Sequence, residues 1–340
     1  MRVLVTSVGS SPGVDLCRCL AADPSLTIVG ADASADGRRF GQRLCAEVVA
    51  LPRADAGADA YVAALRAVAS DRGIDFVFSA LDVEVGAVLS AATPLTVAHA
   101  LPNAAAAPLL DKAALVQHAP VQLVPRSAAV AGEVGRAGLA QALDAVGTPA
   151  WLRPAVGTSG RASLAVQGVD DALAWLSLWR ARGQVGRWLL QEFLPGDNLN
   201  WTGVYVDGEC VAAAAMQRTA YYLHTVAPSG VTGQVREAIT VDRPEVAEVA
   251  RALVGALTPR PHGVWSVDLR LDREGTPKVT EVNPRFAGRP TLSARAACNL
   301  PLAALRGLTG QPLGDAVTRP GGRPGVRMVR QLDLEPLFVE

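Results

Sequence analysis

Lysine is nearly missing from this sequence: of 32 lysine and arginine residues in a 340-residue chain, only Lys112 and Lys278 are lysine. An excess of charge of either sign is missing as well, because 32 aspartate and glutamate residues bring the formal net charge to zero. A balanced chain has no basic field to hold nucleic acid or an anionic membrane, which leaves small molecules or other protein chains as partners. The five cysteines, Cys17, Cys19, Cys45, Cys210 and Cys298, are scattered and form no CxxC pair. That argues against a disulfide framework or a zinc site and suits reduced thiols in the cytoplasm. Four histidines (His99, His118, His224 and His262) are too dispersed to spell a catalytic dyad, and only His224, in "YYLHT", is placed to contact a substrate. No apolar run is long enough for a membrane span, and the opening "MRVLVTSVGSSPG" turns to Gly and Ser too soon for a signal segment.

Half of the residues are hydrophobic, enough for two or three subdomains with well-buried cores. Residues 2–8 are apolar and β-branched, residues 9–13 are a Gly/Ser turn, and "VDLCRCLAA" is amphipathic, a strand–turn–helix pattern. "LTIVGADAS", "ADAYVAALRAVASDRG" and "IDFVFSA" continue as strand, helix and strand. Such alternation implies a right-handed parallel α/β layer over residues 1–102, with binding loops at the carboxyl ends of its strands. An alanine-rich linker and the short helix "LLDKAALVQHA" fill 103–120. Beyond them the pattern turns α+β: "NWTGVYVDGECVAAAAMQR" centres on Asp207–Gly208, a strong hairpin signal, and "HGVWSVDLRLDREGTPKVTEVNPRF" repeats the pattern around "REGT".

The second hairpin carries the chemistry. Glu281 and Asn283, two apart, face the same side of their strand, and the hairpin can bring Asp268 opposite them. Two carboxylates and an amide oxygen suit Mg²⁺ (or Mn²⁺), with water or phosphate oxygens completing the shell. Arg285, two residues on, would supply a fork for a phosphate. A solvated strand face paired with arginines is the plainer alternative. The apolar neighbours Val264, Trp265, Val267, Val279 and Val282 weigh against it, because carboxylates buried without a cation are costly.

With those residues in view, "TEVNPRFAGRPTLSARAACNLPLA" resembles the metal-binding strand and following helix of ATP-grasp enzymes, most closely the ATP-binding halves of the carbamoyl-phosphate synthetase large subunit. "LLDKAALVQHAPVQLVPRS", "PAWLRPAVGTSGRAS", "LLQEFLPGDN" and "APSGVTGQVREAITV" agree in order and spacing, so the resemblance covers nearly the whole chain. It implies an N-terminal parallel α/β (pre-ATP-grasp) domain followed by an ATP-grasp fold, with a mobile lid at 121–190 and a core at 191–340. It also implies a stand-alone single-module ligase using ATP and Mg²⁺. Lys112 would be a phosphate ligand, where a flexible point charge can follow the phosphates; an ordinary exposed helix lysine is the alternative. Arg153 stands where the family usually has a second lysine. Gly157, Thr158, Ser159 and Gly160 would form the mobile loop over the phosphates, a plain hairpin turn being the alternative, and Gln191, Glu192 and Phe193 the adenine hinge. Asp197 is the expected ribose contact, with the adjacent Asn198 as the alternative, although the family commonly has Glu there. Arg285, Arg218 and Arg153 are the expected catalytic cations.

The loop Gly9-Ser10-Ser11-Pro12-Gly13 admits other readings. It is formally a G-x-S-x-G nucleophile elbow, but the first strand has no preceding loop to furnish an oxyanion hole. With Asp32 it approximates a dinucleotide fingerprint whose middle glycine is missing. A helix N-terminus offering N–H groups to a substrate carboxylate fits better, which makes Ser10, Ser11 and Gly13, with Tyr222, His224 and Arg289, the expected substrate residues, beside a purely structural tight turn. The whole reads as a carboxylate–amine ligase acting through an acyl phosphate on amino-acid-like substrates of specialised metabolism. Similar enzymes are commonly dimers. The rival is a nucleotide-binding sensor or scaffold without turnover.

Overall fold

The structure, a computed structural model, describes residues 1–131, 133–158, 160–184 and 186–331, without the side chains of residues 104 and 105. Strands β1 (Arg2–Val5), β2 (Thr27–Asp32), β3 (Glu47–Ala50), β4 (Phe76–Phe78) and β5 (Ala98–His99) form one wholly parallel sheet in the order β3-β2-β1-β4-β5. Helices α1 (Ser11–Leu20), α2 (Ala35–Gly41), α3 (Ala58–Asp71) and α4 (Asp82–Ser90) are interleaved with these strands. Val3, Leu4, Val5, Phe76, Val77 and Phe78 are buried in unbroken runs, as strands covered on both faces require. At the carboxyl ends of β1 and β4 the buried Glu84 of α4 accepts hydrogen bonds from Thr6 Oγ1 (2.7 Å), Ser7 Oγ (2.8 Å), Tyr61 OH (3.2 Å) and the amides of Ala80 and Leu81. A fully satisfied buried carboxylate rigidifies the loops that meet there.

After α5 (Lys112–His118), a small antiparallel sheet forms from β6 (Ser127–Ala131), β7 (Ala150–Pro154), β8 (Leu164–Val166) and β9 (Arg187–Glu192), in the order β6-β9-β7-β8. With α6 (Arg136–Val146) and α7 (Val169–Ala181) it encloses a core of its own around Leu139, Leu152, Leu176, Trp188 and Leu190.

The largest sheet is antiparallel, in the order β14-β13-β10-β11-β12-β15. Its strands are β10 (Asn198–Val206), β11 (Glu209–Tyr221), β12 (Val235–Val241), β13 (Gly263–Leu271), β14 (Pro277–Asn283) and β15 (Arg327–Val329). Asp207 and Gly208 turn β10 into β11 with φ of 51° and 101°, the positive values a two-residue primed turn needs. Trp201, Trp265 and Leu253 pack in one core with α8 (Pro244–Leu257). Two more helices, α9 (Pro290–Arg295) and α10 (Leu300–Leu308), complete the α-helices among the described residues. Val204, Ala212, Val264, Leu300 and Leu302 share another core with Val3, Val5 and Leu16, so the parallel sheet and the large sheet are joined by continuous apolar packing. The combined α/β and α+β class matches the expectation from sequence. Among the described residues no helix is long and apolar enough to cross a membrane.

His99, on β5, yields a pH test of the N-terminal sheet. Burial lowers its pKa below the ordinary 6.5 and repulsion from His262 adds to this, against a hydrogen bond with the Leu101 backbone that raises it. The fold therefore favours the neutral ring. That contribution is complete above about pH 6.5 and is lost as pH falls toward the lower folded value. Acidification from about pH 7.5 to about pH 5.5 should lower the melting temperature of the parent more than that of His99→Asn, whose side chain does not titrate; equal slopes in the two melting curves would refute the assignment.

Candidate active site

The bulge between Asp268 and Leu269 leaves Asp268 opposite Glu281 across β13–β14, and Asn283 opposite Ser266. Asn200, the register partner of Asp268 on β10, donates from Nδ2 to Asp268 Oδ1 at 2.7 Å and to Ser266 Oγ at 2.9 Å. Arg218, from β11, reaches the same Oδ1 with Nη2 at 2.7 Å and Asn198 Oδ1 with Nη1 at 3.2 Å. Asp268, Glu281 and Asn283 all line one cleft of about 350 Å³, together with Arg153, Thr158, Gly160 and Arg218. Burial is the largest single influence on Arg218 and works against its charge, but Asp268, Tyr221 and Glu281 together outweigh it and hold the pKa above the ordinary arginine value. Arg153 is pushed down by burial, against the attraction of Glu281 and Asp268. The Nε atoms of both arginines are buried without a partner among the described residues.

These are donors and acceptors waiting for a ligand. Both hydrogen bonds to Asp268 fall on Oδ1, which leaves Oδ2, the Glu281 carboxylate and the Asn283 amide oxygen for a cation. Among the described residues no group of three or more Asp, Glu, His or Cys is arranged to hold a metal alone. Two carboxylates and an amide oxygen instead fit a hard divalent ion completed by phosphate and water oxygens.

Several expected contacts are placed differently. Lys112 does not line the cleft; its Nζ, with the side chain 7% exposed, donates to Gly157 O at 2.7 Å and lies 3.4 Å from Glu281 Oε1. It therefore ties the Gly-rich loop to the carboxylate strand, while Asp111 before it caps α5 by accepting from the Ala113 and Ala114 amides. The Arg285 fork meets Asp82 with two bonds of 2.6 Å, because the parallel sheet presents that carboxylate at the start of α4. Glu192 is held by Arg126 N (3.2 Å) and Nε (2.9 Å), so its carboxylate is engaged away from an adenine contact. Gln191 donates to Ser127 Oγ. Both residues line the cleft beside an apolar slot of Phe193, Leu194, Pro125 and Trp151, in which the Trp151 and Phe193 rings lie 6.4 Å apart. Asp197 is bound by Gln217 (2.8 Å) and Arg243 (3.1 Å) outside the cleft, and Asn198 takes the lining position.

The Gly-rich loop is built around Gly160, whose φ is 65° and where a Cβ would stand 2.6 Å from Val231 O. Gly157 is exposed with φ 148°, and Ser159 lies outside the described residues. At the N-terminus Ser10 caps α1 by accepting from Gly13 N at 3.2 Å, Val14 N goes to Ser10 O, and Pro12 has no N–H. Gly13 is packed so that a Cβ would be 2.3 Å from Ser7 O. Ser10 thus takes up the Gly13 and Val14 amides of the helix end. Ser11 reaches the cleft, whereas Ser10, Gly13, Tyr222 and His224 do not line it; His224 is exposed, its Nδ1 3.1 Å from Tyr221 O. Arg289 lines the cleft and is bonded to Ser11. Asp32 accepts from Gly9 N (3.0 Å) and Ser34 N (2.9 Å) and lies against Gly37, so it is unavailable as a ribose acid. Asp82, Asn200 and Arg330 escape sequence reading. Only Asp82 carries a signal, at the carboxyl end of a parallel strand where binding loops gather.

No protein-family model and no curated protein matches the sequence. Solved structures do: the chain has the ATP-grasp fold, in a single module with its preceding α/β domain. Biotin carboxylase from Campylobacter jejuni, solved as a β-γ-ATP complex, aligns over 96% of this chain and 74% of its own with a TM-score of 0.68 and 14% identity. N5-carboxyaminoimidazole synthetase from Staphylococcus aureus with ADP aligns over 98% and 93% (TM-score 0.68, 12% identity). L-amino acid ligase from Bacillus licheniformis aligns over 94% and 77% (TM-score 0.63, 15% identity).

The Asp82–Arg285 pair carries its own test. Arg285→Met strands a largely buried carboxylate, and urea unfolding should show a loss of about 3 kcal/mol. Asp82→Ala combined with Arg285→Met should lose clearly less than the sum of the single changes, and strict additivity would mean the pair is not coupled.

Proposed function

We propose that this protein is an ATP-dependent carboxylate–amine ligase. The observation that carries the reading is the convergence of Asp268, Glu281 and Asn283 from two paired strands on one face of the cleft, beneath a Gly-rich loop and beside Arg153 and Arg218. The slot of Trp151, Phe193 and Leu194 suits adenine, and Asn198 suits the ribose hydroxyls. Asp268, Glu281 and Asn283 would hold Mg²⁺, which when bound supplies charge neutralisation on the β- and γ-phosphates. Solved neighbours include complexes with ADP and with a β-γ-ATP ligand, which supports the same occupant here.

The chemistry follows from charge placement more than from acid–base groups. A substrate carboxylate oxygen attacks the γ-phosphorus, the bond to the β-phosphate bridging oxygen breaks, and ADP leaves. Arg218 and Arg153, shielded from water by burial and held cationic by the attraction of Asp268 and Glu281, oppose the charge spread over the transferring group. An amine then attacks the acyl carbon. The C–N bond forms, the C–O bond to phosphate breaks, and inorganic phosphate departs as the amine loses a proton. The Gly-rich loop, packed at Gly160 on the 229–231 segment, limits water access to the acyl phosphate. Lys112 couples that loop to Glu281, so loop position and the carboxylate strand respond together.

The test is ADP release over a panel of amino acids paired with carboxylates in the presence of Mg²⁺. Glu281→Ala should lower the rate by about 10²–10³ while the protein stays folded. An unchanged rate would discard the metal-site assignment. ATP binding without turnover by any pair would favour a nucleotide sensor. A second expectation concerns the loop: Gly160→Ala, strained at its positive φ and against Val231 O, should weaken binding of a non-hydrolysable ATP analogue in calorimetry by about tenfold or more, whereas an unchanged affinity would remove the loop from the nucleotide site.

A further inference from the structure

Where the N-terminal loop meets the cleft, two guanidiniums converge on one hydroxyl. Ser11 Oγ accepts from Arg289 Nη1 at 2.6 Å and from Arg330 Nη2 at 3.4 Å. Ser11 opens α1, Arg289 precedes α9, and Arg330 follows β15, so three separate parts of the chain are brought together. Arg289 is 5% exposed and also bonds Asp15 Oδ2 at 2.9 Å, while Thr291 donates to Asp15 Oδ1 at 3.4 Å. Arg330 donates from Nη1 to Val235 O at 3.0 Å, and its guanidinium lies 5.8 Å from the Tyr222 ring centroid.

The cluster holds two cations and one anion. Asp15 pairs with Arg289, and no carboxylate among the described residues forms an ion pair with Arg330. Arg289 Nε and Tyr222 OH are buried without a partner among the described residues. A buried cation with unused donors costs free energy unless an anion meets it. The deficit is a single negative charge together with acceptor atoms, the complement of one carboxylate held by forked donors. Ser11 and Arg289 both line the cleft that carries Asp268 and Glu281, and Arg330, which is not among the lining residues, reaches it through Ser11, so an anion bound at this cluster would be part of a cleft ligand.

We propose that Ser11, Arg289 and Arg330 form a subsite for a carboxylate that is not itself phosphorylated, so that the ligase substrates include an amino acid or a dicarboxylate. This rests on the ligase reading and narrows its substrate class. Two sources share the chemistry: the α-carboxylate of an amino-acid acceptor, and the remote carboxylate of a dicarboxylate donor. A neutral amide in place of either carboxylate leaves Arg330 unpaired and binds weakly.

Thermal denaturation of the intact chain, with and without Mg²⁺ and a non-hydrolysable ATP analogue, tests the subsite using L-alanine against L-alaninamide and succinate against succinamide. At least one acid should stabilise the parent where its amide does not. Stabilisation by L-alanine marks an acceptor site, and by succinate alone a donor site. Arg330→Met should weaken the effective acid by about 10–10²-fold and erase the preference over the amide, Arg330→Lys should restore part of it, and affinity for the nucleotide analogue should be unchanged in both variants. The proposal is overturned if acids and amides act alike on the parent, or if Arg330→Met keeps the preference. Failure of the parent to bind the analogue would count against the ligase reading instead, and the carboxylate titration without nucleotide would still decide the subsite.

Discussion

Two carboxylates, Asp268 and Glu281, face each other across paired strands in a largely buried position, and much of the surrounding structure answers the cost of putting them there. Asn200 and Arg218 saturate one oxygen of Asp268, Lys112 stands beside Glu281, and Arg153 lies close enough to both for its own charge to be sustained by them. Desolvated like charges repel and are tolerated only when opposite charges and hydrogen bonds surround them. The local excess of cations makes the pocket complementary to a polyphosphate and a divalent ion together, and less so to either alone.

The same logic joins the parallel domain to the large sheet. Asp82 engages Arg285, Asp15 engages Arg289, and Asp23 engages Arg306, each acidic partner from the N-terminal domain and each arginine from the segment after β14. Apolar packing of Val3, Val5 and Leu16 with Leu300 and Leu302 holds the two parts together, and the ion pairs set how they meet. The chain's preference for arginine has a physical use here: a planar fork binds a carboxylate in two places and fixes its direction, whereas an ammonium does not. At residue 112 the requirement differs, since one compact Nζ reaches a carbonyl of the Gly-rich loop and a carboxylate at once.

Much of the fold was legible in the sequence, because strand–helix alternation and the Asp207–Gly208 hairpin are local patterns. So was the face shared by Glu281 and Asn283, which follows from the two-residue period of a strand. The directions of long side chains were not. Glu192 and Asp197 sit at the expected places in the chain yet turn to Arg126 and to Gln217 and Arg243, and Arg285 spends its fork on a residue some two hundred positions earlier. Each choice is made by whichever opposite charge tertiary packing brings within reach, and spacing along the chain carries no record of it.

What the sequence by itself determined is therefore the class of fold, the paired carboxylate strands and the glycine-rich turns, all set by periodicity and backbone preference within short windows. Only the tertiary structure decided that Lys112 clasps a loop instead of lining the cleft, and that Ser11, Arg289 and Arg330 meet at all. Those contacts join residues up to 319 positions apart. Their energies depend on burial and on the nearest counter-charge, which exist only once the sheets have packed.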